Sequence, residues 1–425
     1  MWSDLTTRGI EMRFEQAVTR HGIPLYVFPM PHMQSVATGV LVFAGTRDEV
    51  WPSEAGLAHA FEHMLFQGNA RLDGSEQITG EIESCGGAIN AWTWKEMTFY
   101  YHIVPVHEFA TGVRSLADQV TTPLFRAKNI ESEMQNVIEE IKQTQDDPQA
   151  LCERTIQSVT FGDHPLARDT LGSIESVSAF GPLDFISWQK RFYYPGNYVL
   201  LVVGNVTLEQ ALEMLNSVSF GESTGARSVR PAVSQIVQDK TVVVIERDVM
   251  QANISMAIAV GPSSDRETLA LDLYTTMIDG GMSFPLFQEV RNKRGLCYHV
   301  SAALTPWTDR GILQIGIGTD AKRIEEAIAC IKDVVWQCRA NAELFARAKR
   351  LLLGSNAINF SNPGAILNRT AMEIVFSGAP KSPDQIADEI KSIDLSEVTS
   401  AVERYLGPDN FSYAYVVPKG TNIRI

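Results

Sequence analysis

Gly56-Leu57-Ala58-His59-Ala60-Phe61-Glu62-His63-Met64-Leu65-Phe66-Gln67-Gly68 is the stretch on which the reading of this chain turns. Ser53 as an N-cap and Gly68 as a stop delimit a helix over roughly 54–67. At about 100° per residue, Leu57, Phe61, Met64 and Leu65 share one side of it, while His59, Glu62, His63 and Phe66 share the roughly opposite side. The first stripe suits a core. The second presents two imidazoles one turn apart with a carboxylate between them, and the i, i+4 spacing lets both rings reach a single ion. Zinc favours imidazole and carboxylate ligands, and a catalytic zinc leaves its fourth position to water. Glu62, one residue before the second histidine, is then placed to take a proton from that water.

Such a site needs a third protein ligand. The helix-like stretch from Asn129 to Asp147 offers Glu131, Glu133, Glu139 and Glu140. Glu133 and Glu140 are two helical turns apart and share a face, whereas Glu139 points about 100° away from Glu140. Glu140 is therefore taken as the ligand and Glu133 as a carboxylate that orients a ligating histidine. In isolation this run would read as a solvated acidic helix face. Beside the histidine helix, the ligand reading is preferred.

The rest of the chain frames this site. At 425 residues it is too long for one ordinary core, so two domains are expected, over 1–225 and 226–425. Strand-like text from Gly22 to Pro29 and Ser35 to Ala44 ends in Gly45-Thr46-Arg47-Asp48. The same order recurs from Thr241 to Ile245 and Asn253 to Val260, ending in Gly261-Pro262-Ser263-Ser264-Asp265. Gly45 and Gly261 are 216 positions apart, and that offset carries His59, Glu62 and His63 onto Thr275, Ile278 and Asp279. This predicts an internal duplication in which only the first copy keeps metal chemistry. Paired strands followed by helices give each half an α+β character, with the stretch 221–239 as a surface linker.

A net charge of -14 argues against nucleic acid as a partner, since phosphate neutralisation needs clustered Lys and Arg. No run approaches the roughly 20 apolar residues of a membrane span. Met1 to Gly22 carries Asp4, Glu11 and Glu15 without an apolar block, unlike a secretory signal. Cys85, Cys152, Cys297, Cys330 and Cys338 form neither a disulfide framework nor a C-x-x-C pair. A cytoplasmic location is expected, with an organelle matrix after removal of a transit peptide as the alternative.

Taken together, these segments resemble the pitrilysin/insulinase family of inverted-motif (H-x-x-E-H) zinc peptidases, in its short two-domain form typified by the mitochondrial processing peptidase. Gly45 to Glu49 before the histidine helix, Gly86-Gly87-Ala88-Ile89-Asn90-Ala91-Trp92-Thr93, and Glu133 to Ile141 all match. So do His164 to Arg168, Asn197 to Val206, Gly280 to Ser283 and Arg291 to Tyr298, so the resemblance spans nearly the whole chain. Two departures stand near its end: Phe284-Pro285 where the family often has Ser-Arg, and Cys297 where it often has Ala.

The resemblance implies two similar domains, each a mostly antiparallel sheet backed by helices. It places the glutamate ligand on Glu140 and a substrate-binding edge strand at Ala88 to Trp94, with Asn90 and Ala91 touching peptide backbone. It also makes Arg291 and Tyr298 a pair that reaches a zinc site from the opposite half of a clamshell. Without it, Tyr298 would read as core and Arg291 as part of a solvated basic turn. The expectation is a zinc endopeptidase with one zinc per chain, cutting extended peptides in a chamber formed by two chains. A homodimer is preferred because metal residues and the Arg/Tyr pair occur in one sequence. A heterodimer with a related subunit, or a non-catalytic assembly subunit of the same fold, is the alternative.

Overall fold

The computed structural model describes residues 13–222, 225, 227, 230, 241–407 and 410–423. The expected linker over 221–239 falls mostly outside these residues. In the first half, strands β1 (Glu15–Val18), β2 (Pro24–Pro29), β3 (Ser35–Val42), β4 (Ala88–Thr93), β5 (Thr98–Pro105) and β6 (Tyr198–Gly204) form one sheet, ordered β1-β2-β6-β3-β5-β4. In the second, β7 (Val242–Arg247), β8 (Ala252–Val260), β9 (Cys297–Pro306), β10 (Gly311–Thr319) and β11 (Ser412–Pro418) form another, ordered β7-β11-β8-β10-β9. All neighbours are antiparallel except β2 with β6 and β7 with β11. The order β2-β6-β3-β5-β4 thus recurs as β7-β11-β8-β10-β9, with the parallel pair in the same place. The fold is α+β, two similar domains of mostly antiparallel sheet backed by helices.

Central strands show why both faces need covering. Tyr198-Val199-Leu200-Leu201-Val202-Val203-Gly204 is buried at every position, the continuous apolar pattern of a strand packed on both sides. The described residues divide into two compact units. The first gathers Met1–Val137, Ile174–Val229 and Asn356–Ile386; the second gathers Ile138–Ser173, Arg230–Ser355 and Ala387–Ile425. Two helices therefore pack away from the half of the sequence that encodes them. The helix Pro363–Ser377 lies on β3 and β6 of the first sheet. The helix Pro148–Phe161 lies on β8 and β11 of the second, where Cys152, Ile156 and Phe161 cluster with Ala257, Ala259, Ala414 and Val416. Alanines on that face let the helix approach closely.

Gly45 terminates β3's run into the histidine segment. A Cβ there would sit 2.2 Å from the Trp94 carbonyl oxygen, because Thr46 and Arg47 donate backbone N–H groups to Trp94 and Lys95 at 3.1 and 2.8 Å. Gly45→Ala should destabilise the protein by about 3 kcal/mol, since backbone meets backbone and neither can yield. Gly80→Ala, inside the helix Ser75–Glu83 with open space around it, should instead stabilise by about 0.5–1 kcal/mol. Denaturant unfolding of the two variants measures both signs.

Candidate metal centre

The histidine helix spans Leu57–Met64, shorter at both ends than the expected 54–67. Gly56 adopts φ +86, a left-handed conformation that stops the helix from starting earlier. Ser53 is not its cap; its hydroxyl donates to the Val50 carbonyl at 3.2 Å. Glu49 does that work, its carboxylate accepting from Gly56 N at 3.1 Å and Ala58 N at 3.0 Å. A carboxylate at a helix N-terminus also meets the positive end of the helix dipole. The far end dissolves into i→i+3 turns, with Phe66 N and Gln67 N bonded to the carbonyls of His63 and Met64. The stripes fall as the periodicity requires: Leu57, Phe61, Met64 and Leu65 are fully buried in the core, and Phe66 is half-buried.

On the other stripe His59 Nε2 and His63 Nε2 face one another at 3.2 Å. Side-chain donor atoms of His59, His63 and Glu140 lie within 4.8 Å of one another, the one such group among the described residues. Glu140 is carried by the helix Ala127–Asp146, half-buried, while Glu139 on the same helix is 70% exposed and paired with Lys142. Glu133, two turns before Glu140, accepts from His63 Nδ1 at 2.8 Å. That bond fixes the orientation of the His63 ring and turns its Nε2 toward His59. The second Glu133 oxygen accepts from Gln67 Nε2 at 2.8 Å and Asn136 Nδ2 at 3.1 Å. Burial, followed by the neighbouring His63, lowers His59 to about 3, so its ring is neutral, the form that coordinates metal.

Glu62 lies on the same helix, 9% exposed, and accepts from the Thr93 hydroxyl at 2.5 Å. Behind it the Tyr100 and Tyr193 hydroxyls share a buried bond of 2.7 Å, and burial, with Glu62's own charge added, keeps both phenols protonated. Among the described residues β4 is the sheet's outer strand, paired only with β5. Asn90 on it is exposed, and its side-chain oxygen accepts from Ala91 N at 2.8 Å.

Arg291 and Tyr298 form a separate group in the second unit. Arg291 sits in a π-helix (Leu286–Lys293), its guanidinium 4.6 Å from the ring centres of both Phe287 and Tyr298. Tyr298 is 77% exposed, not core. Phe284, one of the departures, is buried with the Arg347 guanidinium 4.3 Å from its ring centre. Burial pushes the Cys297 thiol up to about 11, the setting of an unreactive cysteine. At the positions that the 216-residue offset aligned with the metal motif, Thr275 and Ile278 are buried and Asp279 accepts from Ala302 N at 2.8 Å.

Thr93, Glu49 and Gln67 were within the quoted motifs but carried no assigned role. Gln67 could have been found as the next i+4 step after His63. Thr93 and Glu49 act across turns that no local periodicity encodes.

The family model for insulinase (peptidase family M16) matches residues 29–173, and that for the peptidase M16 inactive domain matches 180–352. The chain belongs to the peptidase M16, or pitrilysin/insulinase, family. An uncharacterized zinc protease of Mycobacterium tuberculosis is 29% identical over 399 residues, covering 92% of this chain and 90% of that protein. An uncharacterized zinc protease of Bacillus subtilis is 25% identical, covering 94% and 97%. A protease structure from Helicobacter pylori shares the fold with a TM-score of 0.89 at 16% identity, covering 96% of this chain and 100% of that one. A peptidase M16 inactive-domain structure from Pseudomonas fluorescens has a TM-score of 0.88 at 21% identity, covering 97% and 100%. Among the described residues no helix is long and apolar enough to cross a membrane.

The observed cap is testable. Glu49→Ala should cost about 1–2 kcal/mol of stability by leaving two helix N–H groups without their acceptor, while Ser53→Ala should change it by less than about 0.5 kcal/mol. Parallel urea titrations of the two variants decide which residue caps the helix.

Proposed function

We propose that the chain is a zinc-dependent endopeptidase acting on extended or unstructured peptides. The observation that carries this reading is the convergence of His59, His63 and Glu140, with Glu62 on the same helix face. The donor set fits the ion: a 3.2 Å gap between two imidazole nitrogens suits neighbouring ligands of a tetrahedral metal with bonds of about 2.0–2.2 Å. His59 and His63 would hold zinc through Nε2, Glu140 through its carboxylate, and Glu133 fixes the His63 ring. Bound zinc would polarise the scissile carbonyl and make water acidic near neutral pH.

Glu62 takes the proton of the attacking water and passes it to the leaving amine. A peptide pairs with the open edge of β4, where its carbonyl replaces the Asn90 oxygen on Ala91 N–H, so affinity is spread along backbone and side-chain preference is loose. Folded proteins are poor substrates because only an extended segment can add to an edge. Tyr298, exposed and backed by Arg291, donates to the developing oxyanion. We place that pair in the site of a second copy of the chain, giving a homodimer with two composite sites. A heterodimer with a related subunit is the competing assembly.

Purified protein should hold about one zinc per chain, and Glu140→Gln should lose it far more readily than Glu139→Gln. Metal analysis after mild chelation reads this directly; equal retention would show that Glu140 is not the ligand. Glu62→Gln should keep zinc and bind peptide but lose nearly all turnover. Substantial cleavage by the zinc-loaded variant would reject the base, and a zinc-loaded wild type that cleaves nothing would favour the non-catalytic subunit.

Subunit exchange tests the assembly. Mixing inactive Glu62→Gln and Tyr298→Phe chains creates dimers with one doubly damaged and one intact site. With random exchange half the dimers are mixed, so activity should return to about a quarter of wild type. No recovery would mean that both residues act within one chain, and full activity in a monomer would remove the dimer altogether.

A further inference from the structure

Thr93 ends β4, and its hydroxyl donates to Glu62 Oε2 across 2.5 Å. The hydroxyl donates and the carboxylate oxygen accepts. Alternation along the strand puts Ala91 and Thr93 on one face and Asn90 and Trp92 on the other. Trp92 is anchored on its side: its indole N–H donates to Asn368 Oδ1 at 2.6 Å and its ring lies 5.7 Å from that of Phe99. Just beyond Thr93, the Trp94 and Lys95 carbonyls are held by Thr46 and Arg47 N–H. The residue is therefore fixed from behind and from its C-terminal side, and β-branching restricts its remaining torsion.

A glutamate reaches its carboxylate through three rotatable bonds, so Glu62 on the helix alone would sample several orientations. We propose that Thr93 is a positioning residue for Glu62: its hydroxyl fixes the carboxylate and couples the proton acceptor to the strand on which the peptide docks. Ala91, where peptide backbone would pair, is two residues away on the same face. Ordering of the β4 edge by a peptide is thus transmitted to Glu62 through one charge-assisted bond. This inference rests on the peptidase reading above, since a positioned acceptor has meaning only if Glu62 accepts a proton.

Thr93→Val keeps the side chain's shape and removes the donor, and Thr93→Ser keeps the donor. With zinc-loaded protein and an unstructured peptide, Thr93→Val should lower kcat about ten- to a hundred-fold with KM unchanged. Thr93→Ser should stay within about threefold of wild type. Zinc content, melting temperature and the affinity of the metal-free protein for the same peptide should match wild type in both variants. A Thr93→Val enzyme as fast as wild type would overturn the proposal, as would Thr93→Ser failing as badly as Thr93→Val, which would assign the role to packing. Loss of zinc or melting temperature in step with kcat would assign the bond to holding the helix. If wild type itself, with zinc bound, cleaves nothing, the peptidase reading falls first and takes the coupling with it.

Discussion

One carboxylate fixes the geometry on which the site depends. Glu133 divides its two oxygens between His63 and the Gln67/Asn136 pair, so it grips the histidine segment at two successive turns. Asn129, a turn earlier on the same helix, adds a bond from its amide to the Gln67 carbonyl at 2.8 Å. Three anchors along one helix face set its register against the histidines, and Glu140 is then delivered two turns beyond Glu133 by helical repeat alone. The same contact orients the His63 ring, so helix register and ring orientation are set by a single group.

A second set of ties holds the histidine helix from its other end. The block Gly45 to Glu49 follows β3, hydrogen-bonds the chain just after β4, and caps the helix through Glu49. Arg47 pairs with Glu96 at 2.5 Å with both side chains almost wholly buried. Such a pair gains little over apolar packing, but loss of either partner strands a charge, which makes the junction intolerant of change. Strand, cap and edge are thereby fixed relative to one another.

Legibility in the sequence followed the range of each interaction. The His59/His63 spacing, the burial of Leu57, Phe61 and Met64, and the choice of Glu140 over Glu139 are consequences of helical repeat within one element, and each could be read from spacing. The strand order of the second sheet was foreshadowed by the recurrence at 216 positions. The Glu49 cap was not readable, because Ser53 is the better local candidate and only the left-handed Gly56 removes it from range. The placement of helices Pro148–Phe161 and Pro363–Ser377 escaped as well: an amphipathic helix declares that it has an apolar face, not which sheet will cover it. Tyr298 was singled out only through family resemblance, since an aromatic at the start of a strand ordinarily reads as core; its exposure is what the local pattern did not encode.

The two halves, compared, explain why Thr93 is where structure and chemistry meet. In each unit a helix following the central hairpin strand is tied to the outer strand by a carboxylate: Glu62 to Thr93 of β4, and Asp279 to the Ala302 amide of β9. In the second unit the tie uses a backbone donor, Asp279 is held half-buried where burial raises its pKa, and the position matching Glu62 is the buried Ile278. A helix-to-edge bond is thus present in both units. In the first unit it is made by a side-chain hydroxyl directed at the candidate proton acceptor itself. A backbone amide could fasten the helix equally well, but only at a place dictated by strand register. A hydroxyl on the last residue of β4 reaches the carboxylate beside the two histidines, so the end of the edge strand and Glu62 meet in one contact.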